Sequence, residues 1–255
     1  MKAIIEKKRL MQALTHLHGV VEKRNTIPIL ANVLIEANDN FLSLAATDME
    51  IAELQKVSCE IEQNGVITTQ AHVLHDIVRK LPENALIELE SFEGKKLDIK
   101  TDKISFSLMC LNPKDFPDIH AGSFPDSFDI EAEKLSRLID KTLFSVSTEE
   151  TRYYLNGIYI HSVKEDNEER FRVVATDGHR LSRLSTELPL NANNLQGVII
   201  PRKTVIELRK IIDSKQYKNT FQNLDLSSHV PHEPTVEMQH ILRSRKSLSS
   251  KYARY

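Results

Sequence analysis

Sliding the chain along itself by 125 residues lays Glu6, Leu10, Val21, Thr26, Leu30 and Ile35 on Glu131, Leu135, Val146, Thr151, Leu155 and Ile160. Conservative partners fall between them, Leu14 on Ile139 and Val33 on Ile158. Farther along, Ala46-Thr47-Asp48 meets Ala175-Thr176-Asp177 at an offset of 129. Asp76-Ile77, with Arg79 and Leu81, then meets Glu207-Leu208, with Lys210 and Ile212, at an offset of 131. Loop insertions produce such stepwise drift. Colinear matches sustained over about 75 residues mean that the chain contains one supersecondary unit twice.

Each copy opens with a helical pattern. Leu10, Leu14 and Leu17 sit at i, i+4, i+7, with Lys8, Gln12 and His16 opposite. In the second copy Leu135, Leu138 and Ile139 form the apolar stripe, and Lys134, Arg137 and Lys141 fall on the far side. Strand patterns follow at 33–36, 41–45, 158–161 and 171–174. A second helix closes each pattern near 72–81 and 203–212, and Pro201 suits a helix entry. The first copy continues through strands at 86–90, 97–100 and 104–109 before a turn-rich segment at 113–118. One complete unit is therefore α+β with antiparallel sheets, about 120 residues long.

The second copy ends differently. After Asp213-Ser214 strand alternation fades, Pro231 and Pro234 interrupt it, and the last residues are rich in Ser, Arg and Lys. The expected organisation is a first domain at 1–122, an incomplete second at 128–214 and a divergent tail at 215–255, frameshifted or disordered.

Several chemistries are excluded. The seven glycines never come within five residues of one another, so neither a dinucleotide-binding G-x-G-x-x-G nor a P-loop can be written, and G-x-S-x-G is absent too. No apolar run has the length of a membrane span, and Met1–Leu10 does not read as a secretory signal. Cys59 and Cys110, 51 apart, read as two packed thiols of a reduced, cytoplasmic protein. His72 and His75, like His229 and His232, have an i, i+3 spacing that metals use. Neither pair brings a Cys or an acidic third ligand, so no metal or cofactor is expected. Asp177 and His179 suggest an acid–base pair without a nucleophile beside it, so catalysis is not expected either. From Lys215 onward seven Lys/Arg face three Asp/Glu, which leaves 27 against 33 in residues 1–214. Bulk charge does not advertise nucleic-acid binding. On pattern alone Lys8, Arg79, Lys134, Arg137, Lys141, Lys203 and Lys210 suit a solvated helix face as readily as a nucleic-acid interface.

Motifs add a specific resemblance. Thr26-Ile27-Pro28-Ile29-Leu30, Ala46-Thr47-Asp48, Leu81-Pro82-Glu83, Phe116-Pro117-Asp118, Arg152-Tyr153-Tyr154-Leu155-Asn156-Gly157, Ala175-Thr176-Asp177-Gly178-His179-Arg180-Leu181 and Ile200-Pro201-Arg202-Lys203 resemble the bacterial sliding-clamp family, the beta subunits of DNA polymerase III. The likeness runs colinearly from Met1 to about Ser214. It implies a DNA clamp fold, in which repeated domains close head to tail into a ring with helices lining the hole and sheets outside. It implies a non-catalytic processivity factor in the cytoplasm that encircles double-stranded DNA without sequence preference and tethers the replicative polymerase. The implied partners are the polymerase alpha subunit, the clamp loader and further copies of the chain. The alternative is a truncated remnant unable to close a ring.

The resemblance also carries site residues. Arg24 matches a DNA-contacting arginine, Tyr153 and Tyr154 match paired aromatics, and His72 stands where the family often has arginine. Glu149 falls where an amide contacts DNA, and its charge would repel phosphate. Leu155, Thr176, Gly178, His179, Arg180 and Leu181 match one wall of a cleft for short partner peptides; the other wall comes from segments outside this chain.

Overall fold

The computed structural model describes residues 1–21, 26–49, 51–119, 128–149, 151–189, 192, 195, 197–213, 224–225 and 238–242. The chain divides into two compact units. The first runs β1 (Lys2–Glu6), α1 (Lys7–Val20), β2 (Asn32–Asn38), β3 (Phe41–Thr47), β4 (Ile51–Ser58), β5 (Glu60–Gln63), β6 (Gly65–Gln70), α2 (Ala71–Lys80), β7 (Leu86–Glu90), β8 (Lys96–Lys100) and β9 (Ser105–Leu111). The second runs β10 (Asp129–Ile130), α3 (Ala132–Thr142), β11 (Gly157–Glu165), β12 (Glu168–Thr176), β13 (Leu181–Glu187), β14 (Val198–Pro201), α4 (Arg202–Asp213) and β15 (Leu224–Asp225).

The repeat read from sequence is a repeat of topology. The first unit orders four strands β4-β3-β2-β6 and enters α2; the second orders β13-β12-β11-β14 and enters α4, every pairing antiparallel. The first sheet then continues through β9, β8, β7, β1 and β5. A further strand, β16 (Met238–Leu242), lies antiparallel along the outer edge of β4, with Met238 opposite Gln55 and Leu242 opposite Ile51, and belongs to the first unit.

Alternation drives the burial. Leu97 and Ile99 point inward while Lys96 and Lys100 flank them, and Ile87 and Leu89 do the same on β7. Leu10, Leu14 and Leu17 of α1 and Leu74 and Val78 of α2 meet Val33, Ile35, Leu42, Leu44 and Ile67 of the sheet in one core. The buried Lys7 ammonium ties the start of α1 to the segment after α2, donating to the Leu81 carbonyl at 2.7 Å and Glu83 Oε1 at 2.8 Å. In the second unit Leu135, Leu138 and Ile139 of α3 are buried, as are Phe171 and Val173 of β12 and Val205 and Leu208 of α4, the elements that pack on α3. Gly157 is required there, because a Cβ would strike the Ile200 carbonyl of β14. Cys59 and Cys110 are half-buried free thiols, each pushed up to about 11 by burial, so little nucleophilic thiolate forms at neutral pH.

Candidate nucleic-acid interface and peptide cleft

The described candidates concentrate on two turns of the second unit. The first, 151–156, winds tightly into β11. Ser147 Oγ accepts the Glu149 N–H at 3.1 Å, and the Arg152 carbonyl accepts the N–H groups of Leu155 and Asn156 at 2.8 and 3.1 Å. That winding turns Tyr153 and Tyr154 outward, 64% and 57% exposed, with their rings edge to face at 5.6 Å. Rings held in water present both a stacking face and a phenolic donor. Glu149, the phosphate-repelling position, is neutralised by Arg152 Nε at 3.0 Å.

The second turn joins β12 to β13. Thr176 Oγ1 donates to the Arg180 carbonyl at 2.7 Å and accepts the Gly178 N–H at 3.1 Å. Asp177 Oδ1 accepts the N–H groups of His179 and Arg180, each at 3.0 Å, and Oδ2 accepts Arg180 Nε at 2.9 Å. These donors, the Arg180 backbone N–H foremost, hold the Asp177 carboxyl down to about 2. Asp177 is therefore an ionised turn-former with both oxygens engaged rather than half of an acid–base pair. Gly178 sits at φ +91°, where a side chain is strained.

The two turns adjoin, since a Cβ on Gly178 would lie 3.8 Å from Arg152 Nη1. The Arg180 guanidinium stands 5.8 Å from the Phe144 ring centre, and Ser182 Oγ donates to the Lys141 carbonyl. Leu181 and Phe144 are 66% and 57% exposed, and Leu155 is half-buried. The arrangement offers exposed apolar surface edged by guanidinium groups, suited to a short apolar peptide with acceptor groups. Phe144 escaped the sequence reading. Its signal was a large ring just past an amphipathic helix and outside that helix's apolar stripe.

The remaining candidates divide. Arg24 lies outside the described residues, as do His229 and His232. His72 is half-buried on α2, its Nε2 3.2 Å from the Val21 carbonyl and its ring edge-on to His18. Lys8, Arg79, Lys134, Arg137, Lys141 and Lys210 are exposed, and Lys203 is half-buried. Arg79, Lys134 and Lys210 pair with Asp76, Glu131 and Glu207 at 3.0, 2.9 and 2.7 Å, which weakens their field at a distance. Among the described residues no group of three or more His, Cys, Asp or Glu is placed to hold a metal ion, and no helix is long and apolar enough to cross a membrane.

Known proteins resemble this chain in sequence and fold. Residues 1–120 match the family model of the DNA polymerase III beta subunit N-terminal domain, and residues 129–244 match that of its central domain. The second match passes Ser214, where the sequence lost its strand pattern. Over 216 residues the chain is 45% identical to the beta sliding clamp of Caulobacter vibrioides, covering 84% of this chain and 58% of that one. A Rickettsia felis beta sliding clamp is 37% identical over 226 residues, covering 89% and 58%. A crystal structure of the C. crescentus beta sliding clamp superposes with a TM-score of 0.83 at 42% identity, covering 88% of this chain and 59% of that chain. The DNA polymerase III subunit beta from Pseudomonas aeruginosa gives 0.75 at 36%, covering 84% and 57%. The chain thus spans less than two thirds of the length of these relatives.

Proposed function

This chain belongs to the DNA polymerase III beta-subunit family, and on that premise we propose that it is a sliding-clamp subunit. In this reading it is a non-catalytic, cytoplasmic processivity factor that encircles duplex DNA and tethers the replicative polymerase during replication. The observation that carries the reading is the repeat itself: two copies of one helix-and-sheet unit match two successive clamp domains. We assign the first domain to 1–122 and begin the second at 128. The central-domain match through residue 244 favours a clamp over an inert remnant.

Sparse cations on helices meet phosphates through long side chains and water, with no base-edge contact. The resulting attraction is weak, salt-sensitive and independent of sequence, which permits sliding. Retention then comes from encirclement, so a net charge of −2 is no obstacle. Arg24, His72, Tyr153 and Tyr154 are assigned to DNA. Leu155, Thr176, Gly178, His179, Arg180 and Leu181, joined by Phe144, are assigned to peptides of the polymerase alpha subunit and the clamp loader.

The test is retention on nicked circular DNA with clamp loader and ATP, before and after linearisation. Retention on the circle with release on linearisation is expected. Absence of retention on both forms removes the reading.

A further inference from the structure

The helix pair of the first unit is closed by side chains that the proposed function leaves largely unused. His18, in the last turn of α1, meets two imidazoles of α2. Its ring centre is 4.4 Å from that of His72, edge-on at 89°, and 4.6 Å from that of His75, tilted at 41°. The i, i+3 pair seen in the sequence is thus a triad whose third member comes from another helix. All three residues are half-buried, and the His75 side chain is only 12% exposed. His75 Nδ1 is closed off from solvent and stands 3.7 Å from the Asp76 carboxylate, outside hydrogen-bond reach. The nitrogens do not converge on a metal position, so the contact is made by ring faces and edges.

The charged surroundings are mixed. On α2, Asp76 beside His75 also binds Arg79 at 3.0 Å, and both Arg79 and His72 disfavour a further positive charge. On α1, His16 is two residues before His18 and so falls on another face of the helix, while Lys7, Lys8 and Arg9 occupy the first turn, about 15 Å along the axis from His18. Of the strands packed on α2, β6 has no charged residue and β2 has only the exposed Glu36. β4, packed on α1, carries the buried Glu53, which accepts from Gln55 Nε2 at 2.8 Å, and Lys56.

We propose that His18, His72 and His75 form a proton-sensitive latch between α1 and α2, in which neutral rings pack the helices together and protonation forces them apart. An imidazolium at His18 together with one at His72 or His75 would place like charges within about 5 Å, inside a partly desolvated contact. Desolvation already lowers His75 below the ordinary 6.5, against the pull of Asp76. The native state therefore binds protons less readily than the unfolded chain. Stability from the latch is complete above the unfolded value and is lost as pH falls through the window beneath it. The latch stands apart from the clamp reading and holds whether or not the chain encloses DNA.

The test follows the histidine Cε1–H resonances of the full chain from about pH 8 to about pH 5 in the presence of a chelator, assigned with His18→Gln, His72→Gln and His75→Gln. His75 should titrate below the ordinary histidine value, and His18→Gln should move its midpoint upward. On acidification the first unit's thermal transition should fall about 4 °C further in the unaltered chain than in His75→Phe, which keeps a ring and removes the proton site. The Phe variant also supplies the comparison should a Gln variant fail to fold. Three independent midpoints at the ordinary value, or equal acid sensitivity of the unaltered chain and His75→Phe, would overturn the latch.

Discussion

Where the first repeat ties α1 to α2 with three imidazoles, the second ties α3 to α4 with one guanidinium. Arg209 donates through Nε and Nη2 to the two oxygens of Asp140, at 2.7 and 2.9 Å, and Asp213 approaches Nη1. The Asp140 bonds, then that of Asp213, hold Arg209 protonated well beyond its ordinary range. Strand order and helix stripes coincide in the two units, yet the polar ties share no chemistry. A packed apolar stripe specifies which faces meet, while the rim of the contact accepts any pair that satisfies its own hydrogen bonds. One tie is built from imidazoles, the side chains whose charge changes between about pH 5 and 8, and the other is built from a guanidinium and carboxylates.

The largest expected effects lie in the shared core. Leu74 on α2 and Val205 on α4 correspond in the repeat, and each is 0% exposed. Leu74→Ala should cost about 2–5 kcal/mol, and Val205→Ala about 2 kcal/mol because it removes fewer methylenes. Denaturant unfolding of the full chain, with hydrogen exchange read separately on α2 and α4, checks this. A greater loss at Val205 would break the correspondence. Next comes the tie itself. Arg209→Met should cost about 1 kcal/mol, since the pair is bidentate but partly exposed and loses strength in salt. That cost should stay constant from about pH 8 to about pH 5, a range that lies outside the ordinary ionisation of guanidinium and carboxylate groups. If it varied with pH as the first unit does, the contrast between the two ties would fail.

Much of this architecture was legible in sequence because it is local. The helices at 71–80 and 202–213 fall within a residue or two of their apolar stripes, and the strand at 86–90 coincides with its alternation. β4 was not legible. Its core-facing positions are Ile51, Glu53, Gln55 and Val57, and the two polar residues, buried by bonding each other, erase the period-two signal. His18 was missed for a different reason. Its partners are 54 and 57 positions downstream, and no local pattern reports that two helices will cross there. In the candidate site each turn could be read alone from its motif. The meeting of Arg152 with Gly178, and of Arg180 with Phe144, exists only once β11, β12 and β13 are assembled.

The smallest effect sharpens the comparison most, because it isolates one backbone angle. Thr47-Asp48 and Thr176-Asp177 build the same turn. Thr47 Oγ1 donates to the Ile51 carbonyl at 2.8 Å and accepts the Met49 N–H at 3.0 Å, and Asp48 Oδ1 accepts the Ile51 N–H at 2.8 Å. The second repeat repeats each bond with Thr176, Gly178, Asp177 and Arg180. Both turns need a left-handed residue at the third position, and there the repeats part: Gly178 has φ +91° and Met49 has φ +76°. A side chain in that region costs about 1–2 kcal/mol, whereas glycine gives up about 0.5–1 kcal/mol through the freedom of its unfolded state. Met49→Gly should therefore stabilise the first unit by about 0.5 kcal/mol, the half-exposed side chain contributing little in return. Gly178→Ala should destabilise the second by about 1 kcal/mol. The nearest atom to its new Cβ would be 3.8 Å away, so the loss would come from backbone strain rather than collision. Opposite signs in thermal unfolding of the two variants are the expected result. Destabilisation by both would mean that Met49 contributes packing that its angle does not reveal.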